Sequence, residues 1–430
     1  VSAEARRPAA SVTSPAADSV LRGPGAIAVA MGVMNVATYG FTIVAARLLG
    51  PQSYGALASL LATLLVIGVL QLSFQATAAR RISADPQHVA QIEKTVLGVT
   101  YRASLAIGLV LLVLTPVVNR VLKLDSLATA ALVAVTAVPI TMMGGQAGVL
   151  QGERRWWPLA VLYVANGVPR LVIGTALILW RPDETTAMLG VAIGSLPPVV
   201  IGWLALRGHR VPGVVSEEHG FRDVMREILH NSQALLAFFA LSSADIIVAR
   251  NVLPQHSAGL YAGGLILTKA VLFLPQFVII VAFPSMSTAD ERRHALTRSL
   301  LVVGGLGVCA TLGALVLRNV ALVFVGGDDY REIASTLWVF AILGTALSML
   351  QLLVYSVLAR QGKRSVYLVW AAFLVLVGVG YFVSTLHQLI TLVVTTDLVL
   401  FALLLALSLY TLRKDDERLA EVVDPGINGA

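Results

Sequence analysis

The chain is written in long apolar runs separated by short polar breaks. A helix needs about 20 apolar residues to cross the hydrocarbon core of a bilayer. Runs of that kind fall at 24–46, 56–78, 96–118, 127–150, 157–180, 187–206, 231–252, 260–284, 299–317, 335–358, 365–384 and 388–411. They predict twelve transmembrane helices. The breaks between odd and even runs are all short, so none is expected to hold a folded domain. The longest break, 207–230, carries Phe221, Val224, Met225, Ile228 and Leu229 on one helical face and Arg222, Asp223, Arg226 and Glu227 on the other. That pattern predicts an amphipathic helix lying on the inner membrane surface. It divides the chain into two sets of six spans, residues 23–206 and 231–412, flanked by tails 1–22 and 413–430. The first tail is rich in Ala, Ser and Pro. It is expected to be disordered and is not read as a signal peptide, because no short apolar core with a cleavage site precedes the first span.

The two sets repeat one another. The stretch "VAARLLGPQSYGALASLL" (residues 44–61) separates the first two runs, and "VARNVLPQHSAGLYAGGLIL" (248–267) separates the seventh and eighth. Arg47 aligns with Arg250, Pro51 with Pro254 and Gln52 with Gln255; after one insertion Gly55 aligns with Gly259. Gln151-Gly152 and Arg154, after the fourth run, match Gln361-Gly362 and Arg364, after the tenth. Because six is even, both halves cross the membrane in the same sense, a parallel repeat about an axis along the membrane normal. The fold class is therefore an all-α polytopic membrane protein, with about twelve transmembrane helices in two pseudo-symmetric six-helix bundles around a central cavity.

Composition agrees. The chain is 57% hydrophobic and 13% charged, against about 25% charged in a soluble domain. Its one cysteine, Cys309, allows no internal disulfide, and the seven histidines lack the spacing of a zinc site. No metal centre or cofactor is expected. The net charge of +7 does not imply a nucleic-acid partner, because the basic residues are distributed by membrane side: 21 lie in the even breaks and tails and 7 in the odd breaks. Lys and Arg concentrate on the cytoplasmic side. Both termini are thus expected in the cytoplasm and "VAARLLGPQSYGALASLL" on the outer face. Trp156 and Trp157 suit an inner interfacial belt.

Four ionisable residues fall well inside spans: Arg170, Asp245, Lys269 and Asp397. Counted along ideal helices they share a layer near the midplane. Charges at that depth face the bundle interior and are functional candidates by default. Lys269 and Arg170 suit a phosphate; equally, each base paired with an acid would only hold the bundle together. Asp245 and Asp397 suit proton or sodium coupling, or serve as counter-ions to the bases. Asn35, Gln71, Asn166 and Gln276 belong to polar stripes that suit a hydrated, sugar-binding cleft or helix–helix hydrogen bonding. Arg47 and Arg250 are read as outer-mouth residues that snorkel to headgroups or meet a departing phosphate. The pairs Gly144/Gly148, Gly190/Gly194 and Gly259/Gly263 predict close helix packing. Pro116, Pro139, Pro169, Pro197, Pro198, Pro275 and Pro284 are candidate bends.

"VAARLLGPQSYGALASLLATLL" resembles the first hairpin of the polysaccharide-exporter branch of the multidrug/oligosaccharidyl-lipid/polysaccharide (MOP) superfamily, where an A-R-x-L-G-P-x-x-Y-G turn is typical. "FVGGDDYREIASTLWVFAILGTALSMLQLLVYSVLARQGK" (324–363) is similar to a second stretch of that family, and the likeness covers essentially 24–412. The turn "LPQHSAG" has lost the Gly-Pro, twelve spans are fewer than in the peptidoglycan-precursor branch, and cavity charges are sparse. The resemblance implies a transporter of the bacterial plasma membrane that flips a polyprenyl-(pyro)phosphate-linked sugar or oligosaccharide from inner to outer leaflet for cell-envelope polysaccharide biosynthesis. Its expected partners are the lipid-linked glycan, membrane lipids and glycosyltransferases of the same pathway. A cation-coupled drug or metabolite antiporter of the superfamily stays open. So does a multi-span glycosyltransferase, for which Asp328-Asp329 are the only outer-loop acids in position. The topology is testable: alkaline phosphatase joined after Lys123 should be active and after Arg155 inactive, and the opposite pattern would invert the orientation.

Overall fold

The computed structural model describes residues 24–208, 221–272, 292–358 and 363–423. Gln276, Pro275, Pro284, the first tail and the Gln361-Gly362 turn lie outside the described residues. Regular structure among those described is entirely helical. "Outer" and "inner" below name the faces poor and rich in Lys and Arg.

In the N-terminal half, α1 (Pro24–Ala84) runs out to the outer face and back, interrupted only at Gly50, with φ 68° and ψ 175°. Glycine is the residue that takes positive φ without a Cβ clash, and Pro51 suits the first turn of the returning limb. This is the hairpin expected from Gly50-Pro51. Then follow α2 (Val89–Val113), the short α3 (Thr115–Leu122), α4 (Leu127–Gly152), α5 (Trp156–Trp180), α6 (Glu184–Gly194) and α7 (Leu196–Leu206). The C-terminal half has α8 (Phe221–Val252), α9 (Gln255–Leu272), α10 (Arg292–Val316), the short α11 (Arg318–Val325), a 3-10 segment (Asp328–Thr336), α12 (Leu337–Leu358), α13 (Lys363–Gly380) and α14 (Leu386–Val423).

Nine helices among the described residues are long and apolar enough to cross a membrane. One of them, 25–84, is two spans joined at Gly50. α9 stops at the edge of the described residues, and Ser365–Gly380 is a shorter apolar helix. Each expected span overlaps a described helix, although residues 273–284 of the eighth lie outside the described residues. The third span was expected over 96–118; instead the helix breaks at Leu114, and Pro116 sits in the first turn of α3. The sixth breaks at Ser195, just before Pro197 and Pro198. Pro139 and Pro169 lie inside unbroken helices.

The amphipathic stretch departs from expectation. Residues 221–230 do not form a separate surface helix; they are the first turns of the 32-residue α8. At 1.5 Å per residue this helix is about 48 Å long, well beyond a 30 Å core. The middle of its apolar stripe faces protein: Val224 and Ile228 are buried with Phe74, Ala78, Ile82 and Ile92, while Leu229 is exposed. Glu227 bridges Arg80 and Arg81 at the inner end of α1. α14 likewise continues to Val423, into what was expected to be tail.

Two of the glycine pairs pack helices backbone to backbone, whereas Gly263 of the third faces the Tyr330 ring. A Cβ on Gly144 would lie 2.3 Å from the Gln71 carbonyl, and one on Gly148 2.5 Å from that of Gln75, so α4 lies directly on α1. Gly190 and Gly194 set α6 against Gly174 and Arg170 of α5. The largest core cluster joins the halves at the outer side, Phe41, Ala46, Tyr54 and Leu57 to Leu241, Tyr261, Leu265 and Tyr330, and continues through the C-terminal half to Val354 and Val369. A second cluster fills the inner side of the N-terminal half. Gly144→Leu should cost about 1–3 kcal/mol through overpacking and lower the thermal unfolding midpoint in detergent. Gly32→Leu, where the added side chain meets open space, should leave it nearly unchanged.

Candidate functional site

Antiparallel hairpins bring residues equidistant from the turn face to face. The turn between α8 and α9 centres on Leu253-Pro254, and across it Asp245 meets Tyr261: the Tyr261 hydroxyl donates to Asp245 Oδ2 at 2.8 Å. The Ile246 backbone N–H donates to Oδ1 at 2.7 Å. Asp245 is 2% exposed and Tyr261 is fully buried. Lys269, two turns further along α9, is half-buried and close enough for its charge to interact with that of Asp245. Asp397 arrives from α14, 2% exposed, within electrostatic range of Asp245 and Tyr261. Its Oδ2 is buried without a hydrogen-bond partner among the described residues. The C-terminal half therefore gathers two carboxylates, a phenol and one ammonium into a buried cluster.

The N-terminal half is built differently. Arg170 on α5 is half-buried, and its Nε is enclosed with no hydrogen-bond partner among the described residues. Asn166, one turn away, donates to Met34 Sδ at 3.4 Å. Asn35, next to Met34 on α1, is half-buried. Gln71 reaches Met143 Sδ at 3.7 Å, and Gln75 donates to Gln151 at 2.8 Å and to the Tyr163 hydroxyl at 2.6 Å. Gln71 and Gln75 thus join helices of one bundle. Among the described residues, no acid forms an ion pair with Arg170.

Measured along their helices, the four charges are less level than ideal-span counting predicts. Asp245 lies seven residues from the outer end of α8, Arg170 ten from that of α5, Asp397 eleven from that of α14 and Lys269 fourteen from that of α9. That is a spread from about 10 to 21 Å. Lys269 moved deepest because α9 starts at Gln255 and not at the expected Leu260.

Arg47 and Arg250 do lie at the outer face, each bonded to the other half. Arg47 Nη2 donates to the Val323 carbonyl at 2.8 Å. Arg250, only 2% exposed, donates to the carbonyls of Leu122 at 3.1 Å and Lys123 at 2.9 Å. Arg250 is therefore not a snorkelling residue in this state. Asp328 pairs with Arg331 at 3.3 Å, both exposed. Two tyrosines escaped the sequence reading. Tyr261 is signalled by its mirror position to Asp245 only once the turn is placed at Leu253-Pro254. Tyr39, whose hydroxyl donates to the Ile266 carbonyl at 3.0 Å, carried no such signal, because its partner belongs to the other half.

Comparison with known proteins agrees with this architecture. The family described as polysaccharide biosynthesis protein matches residues 20–290. No curated protein matches significantly. Among solved structures, an inward-facing multidrug resistance MATE family transporter of the MOP superfamily aligns at TM-score 0.68 and 16% identity, over 89% of this chain and 96% of its own. The eukaryotic MATE transporter AtDTX14 aligns at 0.59 and 13%, over 91% and 97%. A MOP superfamily transporter from Pyrococcus furiosus, described as having a binding pocket of reverse polarity that suggests a different function, aligns at 0.57 and 15%, over 92% and 95%. With its matched sequence, the chain belongs to the polysaccharide biosynthesis protein family, and its fold is the one seen in the MOP superfamily transporters it aligns with.

Proposed function

We propose that this transporter moves a polyprenyl-(pyro)phosphate-linked sugar or oligosaccharide from the inner to the outer leaflet by alternating access, supplying cell-envelope polysaccharide synthesis. The observation that carries this reading is the inequality of its two cations. Lys269 lies within electrostatic range of Asp245, whereas Arg170 has an enclosed Nε without a partner among the described residues. An uncompensated charge in a low-dielectric interior is costly. A mobile anion would relieve that cost, and a guanidinium suits phosphate by its fork of donors. A cationic substrate would be repelled there. Arg170 is thus the first ligand for the phosphate and Lys269 the second. Asn35 and Asn166 are placed for sugar hydroxyls near Arg170, and the prenyl chain stays in the bilayer. Arg47 and Arg250, bonded across the outer face in this state, would be available to the leaving phosphate only after that face opens.

Asp245 and Asp397 support ion coupling. Two buried carboxylates against one ammonium leave a charge that a proton or a sodium ion would balance. The same pair is what favours the second reading, a cation-coupled drug or metabolite antiporter. The carrier would work in the bacterial plasma membrane beside the glycosyltransferases that make its substrate, as its family resemblance implies, with both termini in the cytoplasm, as the distribution of Lys and Arg suggests.

Proteoliposomes loaded with a short-chain polyprenyl-phosphate sugar test the proposal. Arg170→Gln should reduce flipping at least about tenfold, the loss of one charge-assisted hydrogen bond, and Lys269→Gln should reduce it less. Export of cationic dyes with no movement of any such lipid would replace this reading with the antiporter. Asp397→Asn should abolish the response of transport to an imposed proton or sodium gradient while leaving downhill movement. An unchanged response would remove Asp397 from coupling.

A further inference from the structure

We infer that the outer face is closed by a reciprocal latch, in which the arginine of each half holds a short helix of the other, and that Arg250 is its principal bolt. The latch follows from the repeat. Arg47 and Arg250 are equivalent positions at the outer end of the first span of each half. α3 and α11 are equivalent eight-residue helices, each directly after the third span of its half. Arg47 of the N-terminal half donates to Val323 in the last turn of α11. Arg250 of the C-terminal half donates to Leu122 and Lys123 at the end of α3. The last carbonyls of a helix lack intrahelical partners and form the negative end of its dipole, so a guanidinium is a well-matched donor.

Between the two arginines the seam is sealed by equivalent residues meeting each other. Gln52 donates to Gln255 at 2.5 Å. A Cβ on Gly55 would lie 2.8 Å from Gly259 Cα, and one on Gly259 1.9 Å from the Pro51 carbonyl, so the two hairpins touch backbone to backbone. Below them Tyr330, fully buried, crosses from the C-terminal half to donate to the Ala46 carbonyl at 3.3 Å. The ring of Tyr54 meets it edge-on at 6.5 Å between centroids. The deepest of these contacts, Tyr39 to Ile266, lies eleven residues below both Gly50 and Gln255. At 1.5 Å per residue that is about 17 Å, more than half of a 30 Å core. Lys269 is only one turn further in, so it sits just beneath the sealed layer.

The two bolts are unequal. Arg47 is exposed, and its bond competes with water. Arg250 is buried, makes two bonds, and lies within electrostatic range of Glu184 and Asp125, both of the N-terminal half. Charge-assisted bonds away from water are the stronger ones. Opening the outer face therefore requires Arg250 to leave Leu122 and Lys123, whatever the substrate.

The test reads access and not transport, so it stands apart from the flippase reading. Ala46→Cys places a reporter under Tyr330 in a chain whose only native cysteine is removed by Cys309→Ser. A membrane-impermeant maleimide is applied from each side of the membrane in turn. The reporter should be protected from the latched side. Arg250→Gln should raise its labelling from that side at least about tenfold, Arg47→Gln should raise it only about twofold, and Arg250→Lys should restore most of the protection. In the otherwise unaltered chain, Gln52→Cys with Gln255→Cys should be bridged rapidly by a short bifunctional thiol reagent. Labelling of Ala46→Cys from the latched side as fast as at the exposed Leu127→Cys would overturn the latch. So would unchanged labelling in Arg250→Gln, or failure of the 52–255 pair to bridge.

Discussion

The interior of a bilayer has no water with which to bond a peptide group or solvate a charge. Most of this structure follows from that constraint. Each backbone amide within a span is committed to its own helix. Where a helix is interrupted, at Gly50, Leu114 or Ser195, the break falls in a turn or is taken up at once by a following helix. Polar side chains obey the same economy. Thr42, Thr100, Thr141 and Thr311 return their hydroxyls to carbonyls one turn earlier. Several buried polar atoms escape it. Among them are two atoms of ionisable groups well inside their helices, Arg170 Nε and Asp397 Oδ2, enclosed without hydrogen-bond partners among the described residues. Under the proposed function, the cargo or a coupling ion would supply the compensating charge.

Duplication explains the frame but not the chemistry. The two halves share hairpins, short outer helices and a pair of arginines that bind across the seam. Their charged interiors have diverged. The N-terminal half keeps a lone cation, while the C-terminal half encloses two acids, a phenol and a lysine. A symmetric scaffold lets two rigid bundles rock about one axis. Under the proposed function this asymmetry would separate the tasks, with an anion site on one side and a cation-sensitive cluster on the other. The cross-half core at the outer side, with Tyr39, Tyr54 and Tyr330 in or against it, gives the contact face of that motion.

Much of this was legible in the chain. Twelve apolar runs of spanning length, the Gly50-Pro51 break, the 203-residue offset between Arg47 and Arg250, and the glycine pairs all depend on local properties: hydropathy, backbone freedom and side-chain size. They therefore survive translation into helices and hairpins. The Asp245–Tyr261 bond was not legible, since the eighth run was expected to start at Leu260 rather than Gln255, which put the turn too late to pair those positions. The error over 221–230 was of another kind. An amphipathic stripe states that one face must be buried, but not whether lipid or protein buries it. Here Val224 and Ile228 found Phe74, Ala78, Ile82 and Ile92, and Glu227 found two arginines.

The sequence by itself determined the membrane class, the count of spans, the twofold repeat and the ionisable residues within the spans, because burial in hydrocarbon penalises each of these choices one residue at a time. Only the tertiary structure decided which charges are paired and which are left alone, and that Arg250 crosses the seam to α3 rather than snorkelling to headgroups. Those outcomes depend on the approach of helices distant in the chain, such as Arg250 to Leu122 and Tyr39 to Ile266. No local property of a sequence encodes which carbonyl a guanidinium will reach when two bundles close on each other.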